Sequence, residues 1–462
     1  MKRTAVFLPV IALLLRTPLC AEESGGKAPA APTSPLHAYV AKADKNYGWV
    51  KRREGTVLGV SYAELTLTSQ KWKDITWRHQ LFVIKPPEVA NSQALLMIAG
   101  GRWRDELAAP PKVEEALPRE AQLLAVAAAQ LKSPIAVLLH VPQQPIFHDI
   151  AKGGMVEDQI IAYTFEKYLD TRDAEWPLLL PMTKSAVRAM DAVQEFCRKE
   201  WDLPVKHFTV TGASKRGWTT WLTAAVDSRA TAIAPMVIDV LNMQDQMKHQ
   251  LATWGKYSEQ IEDYTRRRIQ QRSDTPEGRA LNAIIDPYSY RAALKQPKLL
   301  LLGTNDRYWP LDALNIYWDG LAGDKYVTYV PNNGHGLKDM SRVLGGVFAI
   351  HRAATGEIKL PKLAWDMEQK DGGLNLSIRC EQKPKSVTAW ISSSATRDFR
   401  SAEWKAQPTT AEGGVYRYRL GVPERGFAAI FGEAQFELGD TPLYLSTNVR
   451  IVGVPAEEPK SK

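Results

Sequence analysis

The feature that most constrains this chain is a set of short apolar runs separated by stretches of helical periodicity. Short apolar runs are typical of strands that are buried on both faces of a sheet. Strands that alternate with helices form a parallel sheet through right-handed crossovers. The pattern predicts six parallel strands, at Ala94–Ile98, Ile135–His140, Phe208–Thr211, Ile233–Ile238, Lys298–Leu302 and Tyr326–Val330.

Two earlier segments, 57–67 and 77–84, alternate apolar with polar residues and are rich in β-branched and aromatic side chains. This alternation predicts an opening hairpin with one buried face. Two antiparallel strands followed by six parallel ones is the order of the eight-stranded, mostly parallel α/β-hydrolase sheet, so we expect this α/β fold. The clearest helix is predicted over 178–201, because apolar residues recur there at three- and four-residue steps.

The alternation of predicted strands and helices is interrupted at about 240–291, where a polar segment predicts a helical insertion at the carboxyl edge of the sheet. Its arginines are either the solvated face of a helix or a contact for an acidic group; they are Arg266, Arg267, Arg268 and Arg272. Beyond Leu360, alternating strands predict an all-β, immunoglobulin-like sandwich. Its expected strands are Leu374–Cys380, Ser386–Ile391, Val415–Leu420 and Tyr444–Val452.

The N-terminus has the pattern of a secretory signal peptide. Lys2 and Arg3 precede an apolar run over 5–15, and small residues follow near Ala21. We therefore expect an exported protein, periplasmic or extracellular, with lipidation at Cys20 as an alternative. The expected division is signal peptide 1–21, flexible linker 22–36, hydrolase domain 37–358, sandwich 359–456 and tail 457–462.

A strand, a tight turn and a helix in succession surround the first candidate catalytic residue, Ser214. The turn is Gly-Ala-Ser-Lys-Arg-Gly at 212–217, and such a turn presents a serine hydroxyl to a base. Small residues are needed where backbone passes backbone, and Gly212 and Gly217 supply them. The usual spacing is G-x-S-x-G, and here the second glycine comes one position later. A helix cap is the alternative role of Ser214.

His335 and Asp306 complete the expected set. His335 lies in a glycine-flanked loop after the last predicted strand, and an imidazole there can take and return a proton. Asp306 follows the preceding strand and would fix the imidazole tautomer. The chain order Ser, Asp, His is that of α/β-hydrolases. Asp239 is the rival acid, and Asp312 is a weaker one.

Backbone amides near the serine are expected to form an oxyanion hole, contributed by Lys215 and by Gly101 and Arg102 after the third strand. The paired Gly100 and Gly101 could equally serve only a turn. Candidate substrate-binding residues are Trp103, Arg216, Trp218 and Trp309, with core packing as the alternative role of the tryptophans.

No metal or cofactor is predicted, because the sequence holds no H-E-x-x-H, no paired C-x-x-C and no glycine-rich phosphate loop. No later segment is apolar enough for a transmembrane helix. The formal charge of +8 includes Lys2, Arg3 and Arg16, which leave with the signal peptide, and no nucleic-acid partner is expected. Oligomeric state and a bridge between Cys197 and Cys380 stay open.

Several motifs together resemble the PhoPQ-activated pathogenicity-related proteins: GASKRGWTTW at 212–221, APMVID at 234–239, GTNDRYW at 303–309 and NGHG at 333–336. The segments YTF at 163–165 and WPLLLPM at 176–182 extend the match. The resemblance implies an exported α/β-hydrolase-like protein and supports Ser214, Asp306 and His335. The spacing around Ser214 is also similar to that of glucuronoyl esterases, where a basic residue follows the serine.

These observations favour a serine hydrolase that cleaves a small-molecule, peptide or carbohydrate ester or amide through an acyl-serine. A glucuronoyl-type carbohydrate esterase is the alternative among enzymes. A non-catalytic secreted interaction protein on a hydrolase scaffold is the alternative of a different class.

Overall fold

The computed structural model describes residues 34–112, 115–117, 120–438 and 441–455. The predicted signal peptide, the alternative lipidation site at Cys20, most of the linker and the tail at 457–462 lie outside these residues. The first element is helix α1 (Pro35–Ala41), which begins two residues before the expected domain start. In the described part of the chain, no helix has the length and apolar content needed to cross a membrane.

A mixed sheet forms the centre of the structure. Within the described residues it has nine strands in the order β1-β2-β3-β5-β4-β6-β7-β8-β9. The pairs β1–β2, β2–β3 and β3–β5 are antiparallel, and the pairs from β5 through β9 are parallel. The bounds are β1 Gly48–Val57, β2 Val60–Trp72, β3 Ile75–Lys85, β4 Gln93–Ile98, β5 Ile135–Leu138, β6 His207–Ala213, β7 Ala230–Met236, β8 Lys298–Gly303 and β9 Lys325–Val330.

The eight expected strands are β2 to β9, and β1 is an additional edge strand. Arg52 and Arg53 on β1 bind the buried carboxylate of Glu64 on β2 at 2.8 and 2.5 Å. The polar sequence of β1 lacks the apolar alternation that identified the other strands. An edge strand has one neighbour, so charged side chains can hold it in place of a buried face.

Helices cover both faces of the sheet, as the apolar runs predicted. Alternate residues of β8 show this, because Leu299 and Leu301 belong to one buried cluster and Leu300 and Leu302 to the other. The remaining helices are α2 Glu120–Leu131, α3 Asp158–Thr171, α4 Leu179–Trp201, α5 Lys215–Val226, α6 Met243–Trp254, α7 Glu262–Arg266, α8 Pro276–Ile285 and α9 Met340–Ala354. The helix expected over 178–201 is α4.

The insertion expected at about 240–291 is helical and consists of α6, α7, α8 and short 3₁₀ turns. Two of its arginines bind carboxylates of α3, since Arg267 pairs with Glu166 and Arg272 lies 2.7 Å from Asp170. Arg266 pairs with Glu262 on its own helix at 2.8 Å. These ion pairs tie the insertion to α3 and occupy arginines that sequence alone left open to an acidic ligand.

The C-terminal segment forms antiparallel sheets, as its alternating sequence predicted. In the described residues their orders are β10-β11-β15-β14 and β13-β12-β16-β17, with β18 paired to β16. The bounds are β10 Leu363–Lys370, β11 Gly373–Cys380, β12 Ser386–Ser394, β13 Lys405–Pro408, β14 Thr410–Glu412, β15 Val415–Gly421, β16 Gly426–Glu437, β17 Pro442–Ser446 and β18 Arg450–Val454. Cys197 and Cys380 are unbridged.

Candidate active site

Ser214 lies between β6 and α5, at the turn that the sequence predicted. Its backbone has φ 58° and ψ −125°, a conformation that L-residues rarely adopt. The Ser214 N–H donates to the Met236 carbonyl at 2.8 Å, and the Trp218 N–H donates to the Ser214 carbonyl at 2.9 Å. Such a strained strand-to-helix turn exposes a serine at the carboxyl edge of the sheet.

The two glycines of the turn are required by close backbone approach. A Cβ on Gly212 would lie 2.7 Å from the Arg216 carbonyl oxygen. A Cβ on Gly217 would lie 2.9 Å from the Met236 carbonyl oxygen and 3.0 Å from that of Gly212. The later position of the second glycine therefore serves the packing of α5 against β6 and β7.

His335 and Asp306 meet at the ends of the neighbouring strands β9 and β8. Nδ1 of His335 lies 2.8 Å from Oδ2 of Asp306, and Oδ1 of Asp306 accepts the Tyr308 N–H at 3.0 Å. The remaining ring nitrogen, Nε2, is buried and has no hydrogen-bond partner among the described residues. The imidazole is therefore oriented on one side and available for proton exchange on the other.

The ring of Tyr308 packs against the imidazole ring of His335. The two ring centroids are 4.3 Å apart, with 31° between the ring planes. The Tyr308 carbonyl accepts a hydrogen bond from Gln250 of α6 at 2.9 Å. The loop that carries the acid is thus attached to the insertion.

The loop between β12 and β13 contacts the loops that carry Asp306 and His335, and we call its residues 399–404 the clamp segment. The Asn305 amide donates to the Ala402 carbonyl at 2.7 Å, directly beside Asp306. The Asn332 amide donates to the Trp404 carbonyl at 2.9 Å, and the Trp404 N–H donates back at 2.7 Å. The clamp segment therefore fixes the loops of Asp306 and His335 relative to each other.

The rival acids make other contacts. Asp239 is buried and accepts the Tyr317 hydroxyl at 2.6 Å. Burial, together with the charge of Asp306, raises the pKa of Asp239 to about 7 despite that hydrogen bond. Asp312 lies 2.6 Å from His249. Among the three candidates, Asp306 is the carboxylate in contact with His335.

The candidate oxyanion-hole residues lie at the turn that carries Ser214 and in the loop after β4. Lys215 is the first residue of α5, where backbone N–H groups have no intrahelical acceptor. Gly101 has φ +127°, and a Cβ there would lie 2.8 Å from Nδ1 of His140. Only glycine fits this conformation and this contact, and Gly101 and Arg102 are both exposed.

The side chains of Lys215 and Arg216 are largely buried and paired. The Lys215 ammonium lies 2.8 Å from Asp158, and the Arg216 guanidinium binds both oxygens of Glu157 at 2.7 and 2.8 Å. Burial opposes the ionisation of Glu157, but Arg216 and its other partners outweigh burial and lower the Glu157 pKa to about 2. Arg216 also donates to the Val141 carbonyl. Through these contacts Arg216, a predicted substrate-binding residue, instead supports the turn that carries Ser214.

Ser214 and His335 line one cavity. The volume of this cavity is about 80 Å³. Two of the predicted substrate residues, Trp218 and Trp309, line it, whereas Trp103 and Arg216 do not. Trp103 packs edge-on against His140, with ring centroids 5.8 Å apart.

Sequence reasoning missed the residues that support this site. Glu157 and Asp158 are separated from Lys215 and Arg216 by more than fifty residues, and nothing in one sequence pairs them. Tyr308 carried a signal, because it lies two residues after Asp306 within the family-like segment 303–309. Among the described residues, no group of three histidine, cysteine or acidic side chains is placed to hold a metal ion.

Comparison with known proteins gives a match over most of the chain. Residues 36–400 match the family model of the PhoPQ-activated pathogenicity-related protein. The chain is also 30% identical over 435 residues to autocrine proliferation repressor protein A of Dictyostelium discoideum, covering 87% of this chain and 86% of the relative.

Comparison with solved structures gives matches at low sequence identity. Acetyl xylan esterase 1 from Thermoanaerobacterium sp. JW/SL YS485 is 16% identical, with a TM-score of 0.46 over 68% of this chain and 92% of that chain. A glucuronoyl esterase from Solibacter usitatus is 12% identical, with a TM-score of 0.41 over 68% and 90%.

Proposed function

The chain belongs to the PhoPQ-activated pathogenicity-related protein family, and from that premise we propose that it is an exported serine hydrolase of the α/β-hydrolase fold. The proposed catalytic residues are Ser214, His335 and Asp306. Export rests on the N-terminal signal pattern, and the immunoglobulin-like type of the C-terminal sheets rests on strand alternation.

In the first half of the proposed reaction, His335 Nε2 takes the proton of the Ser214 hydroxyl while Oγ attacks the carbonyl carbon of an ester or amide. Asp306 holds the proton of Nδ1, so that Nε2 carries the free electron pair. The developing oxyanion accepts hydrogen bonds from backbone N–H groups of Lys215 and of the loop at Gly101 and Arg102. Collapse of the intermediate expels the alcohol or amine, which takes the proton from His335 and leaves an acyl-serine.

In the second half, water attacks the acyl-serine by the same route. His335 Nε2 takes a proton from water, and the hydroxide adds to the carbonyl carbon. Breakdown returns the proton to Ser214 Oγ and releases a carboxylic acid. The free serine and the neutral imidazole are then restored, and no cofactor enters this proposed mechanism.

The observation that carries the proposal is the pairing of His335 with Asp306 at 2.8 Å, with Nε2 buried and unpartnered among the described residues. His140 and His351 also leave one buried ring nitrogen unpartnered, so the contact with Asp306 and the cavity shared with Ser214 distinguish His335. One oriented nitrogen and one available nitrogen, beside a strained serine in the same cavity, are what general-base activation needs.

A fluorophosphonate probe tests the proposal, because it labels only an activated serine. We expect labelling of the wild-type protein and none of Ser214→Ala or His335→Ala. Ser273→Ala is the matched control, since Ser273 lines the same cavity and is not proposed to react. Labelling that persists in Ser214→Ala, or its absence from the wild type, contradicts the proposal.

A non-catalytic secreted signal is the second candidate function. The observation in its favour is the Dictyostelium relative, whose name describes autocrine repression of proliferation. For this candidate, Ser214→Ala keeps the full effect of the added protein on growing cells. For the hydrolase, that variant loses any effect that depends on cleavage.

A further inference from the structure

The cavity beside Ser214 has mainly apolar walls away from its catalytic end. Phe165 and Leu169 come from α3, Trp218 from α5, and Met243, Leu281 and Ile285 from the insertion. The insertion thus supplies a wall of the pocket, and its ion pairs with α3 keep that wall in place. Binding of an apolar group against this wall is favourable, because it removes apolar surface from water.

The charged groups at the cavity are already neutralised. Asp158 accepts from the Tyr264 hydroxyl and from the Lys215 ammonium, both at 2.8 Å. The indole N–H of Trp218 donates to the Ile285 carbonyl at 2.6 Å. A charged substrate group would have to break one of these pairs, whereas an uncharged apolar group leaves them intact.

The size of the cavity limits its occupant. A cavity of about 80 Å³ has room for several water molecules, and a methylene group has roughly the volume of one. The part of the substrate that stays attached to Ser214 suits this pocket, because the leaving group must depart before water attacks.

We propose that this cavity holds the acyl group of the substrate, an uncharged apolar chain of several carbons. The inference rests on the proposed hydrolase function and adds the substrate class.

Two variants of α8 form a matched pair for the test. Leu281 and Ile284 are 2% and 3% exposed, and of the two only Leu281 lines the cavity. Leu281→Ala and Ile284→Ala both remove buried carbon atoms and should cost similar stability. Only Leu281→Ala lengthens the pocket, by up to the three carbons that it removes.

The assay measures kcat/KM on p-nitrophenyl esters from acetate to dodecanoate. For wild type we expect about a fourfold rise for each added methylene up to the optimum, which is the fold-change equivalent of about 0.8 kcal/mol. Leu281→Ala should move the optimum to longer chains, and Ile284→Ala should leave it unchanged. Thermal shifts of Ser214→Ala with octanoate, but not with acetate, should show the same preference without turnover.

A preference for acetate, a flat chain-length profile, or an optimum that moves equally in both variants overturns the acyl-pocket inference. Each of these results requires an active enzyme and leaves the proposed function standing. Failure of that function is detected separately, as absence of fluorophosphonate labelling at Ser214 in the wild type.

Discussion

Replacing Asp306 by asparagine tests the central contact of the site. Oδ1 of Asp306 accepts the Tyr308 N–H at 3.0 Å, and an asparagine oxygen can keep that bond. The new amide group then faces Nδ1 of His335, where Oδ2 lay at 2.8 Å. Nδ1 becomes an acceptor, so the imidazole proton moves to Nε2, and Nε2 can no longer take the serine proton.

The expected loss follows from this change of tautomer. In serine proteases the equivalent substitution lowers kcat by about 10⁴-fold. The side chains of His335 and Asp306 are 30% and 12% exposed, so water screens part of the interaction. We therefore expect kcat to fall about 10³- to 10⁴-fold, or about 4 to 5.5 kcal/mol, with KM nearly unchanged.

Steady-state hydrolysis of a p-nitrophenyl ester and the rate of fluorophosphonate labelling measure this loss. Asp239→Asn and Asp312→Asn are the controls, because these carboxylates bind Tyr317 and His249 instead of His335. Both controls should keep at least about a tenth of the activity. If Asp306→Asn keeps that much while Asp239→Asn loses it, the acid has been assigned to the wrong strand.

Three further changes test the supports of the site. Asn305→Ala removes the hydrogen bonds to the clamp segment. It should cost about 1–3 kcal/mol in unfolding free energy and also lower kcat. Asn315→Ala loses a similar bond to the C-terminal sheets and should lower only the melting temperature. Gly101→Ala forces a Cβ against His140 at φ +127° and should lower kcat about 10²- to 10³-fold in single-turnover assays; an unchanged kcat would remove this loop from the oxyanion hole. Asp239 binds more protons folded than unfolded between pH 3.8 and about 7, so wild-type stability should fall as pH rises through that window. Asp239→Asn should show a smaller fall in urea unfolding at pH 4.5, 6 and 8, because other buried carboxyls such as Asp286 still contribute; parallel curves for the two proteins would contradict the burial argument.

The strands of the central sheet were predictable because burial on both faces demands continuous apolar runs. The edge strand β1 was not, since Arg52 and Arg53 replace a buried face with ion pairs to Glu64. In the C-terminal segment, strands with clear alternation were found, whereas β10, β13, β14 and β16 were missed. The strand expected over Tyr444–Val452 is divided into β17 and β18. β16 (Gly426–Glu437) is buried along most of its length and so lacks the period-two pattern.

The three candidate catalytic residues could be found because each follows a recognisable strand, and the carboxyl ends of parallel strands share one edge. The clamp segment could not be found in the same way. Asn305 binds a carbonyl group 97 residues downstream, and Asn332 binds one 72 residues downstream. Every residue has a backbone carbonyl, so no pattern of residue types in the sequence predicts such a contact.

The two cations beside Ser214 show how pairing changes the chemistry that a motif implies. Alone, Lys215 and Arg216 suggest an acidic substrate or a positive oxyanion site. In the fold, Asp158 and Glu157 neutralise them, and because the Glu157 pKa is about 2 its ion pair persists at neutral pH. In the proposed mechanism, the oxyanion is stabilised by backbone N–H groups, which point in a fixed direction and carry no net charge. Because Asp158 and Lys215 neutralise each other at the cavity, we expect substrate choice to depend on its apolar wall.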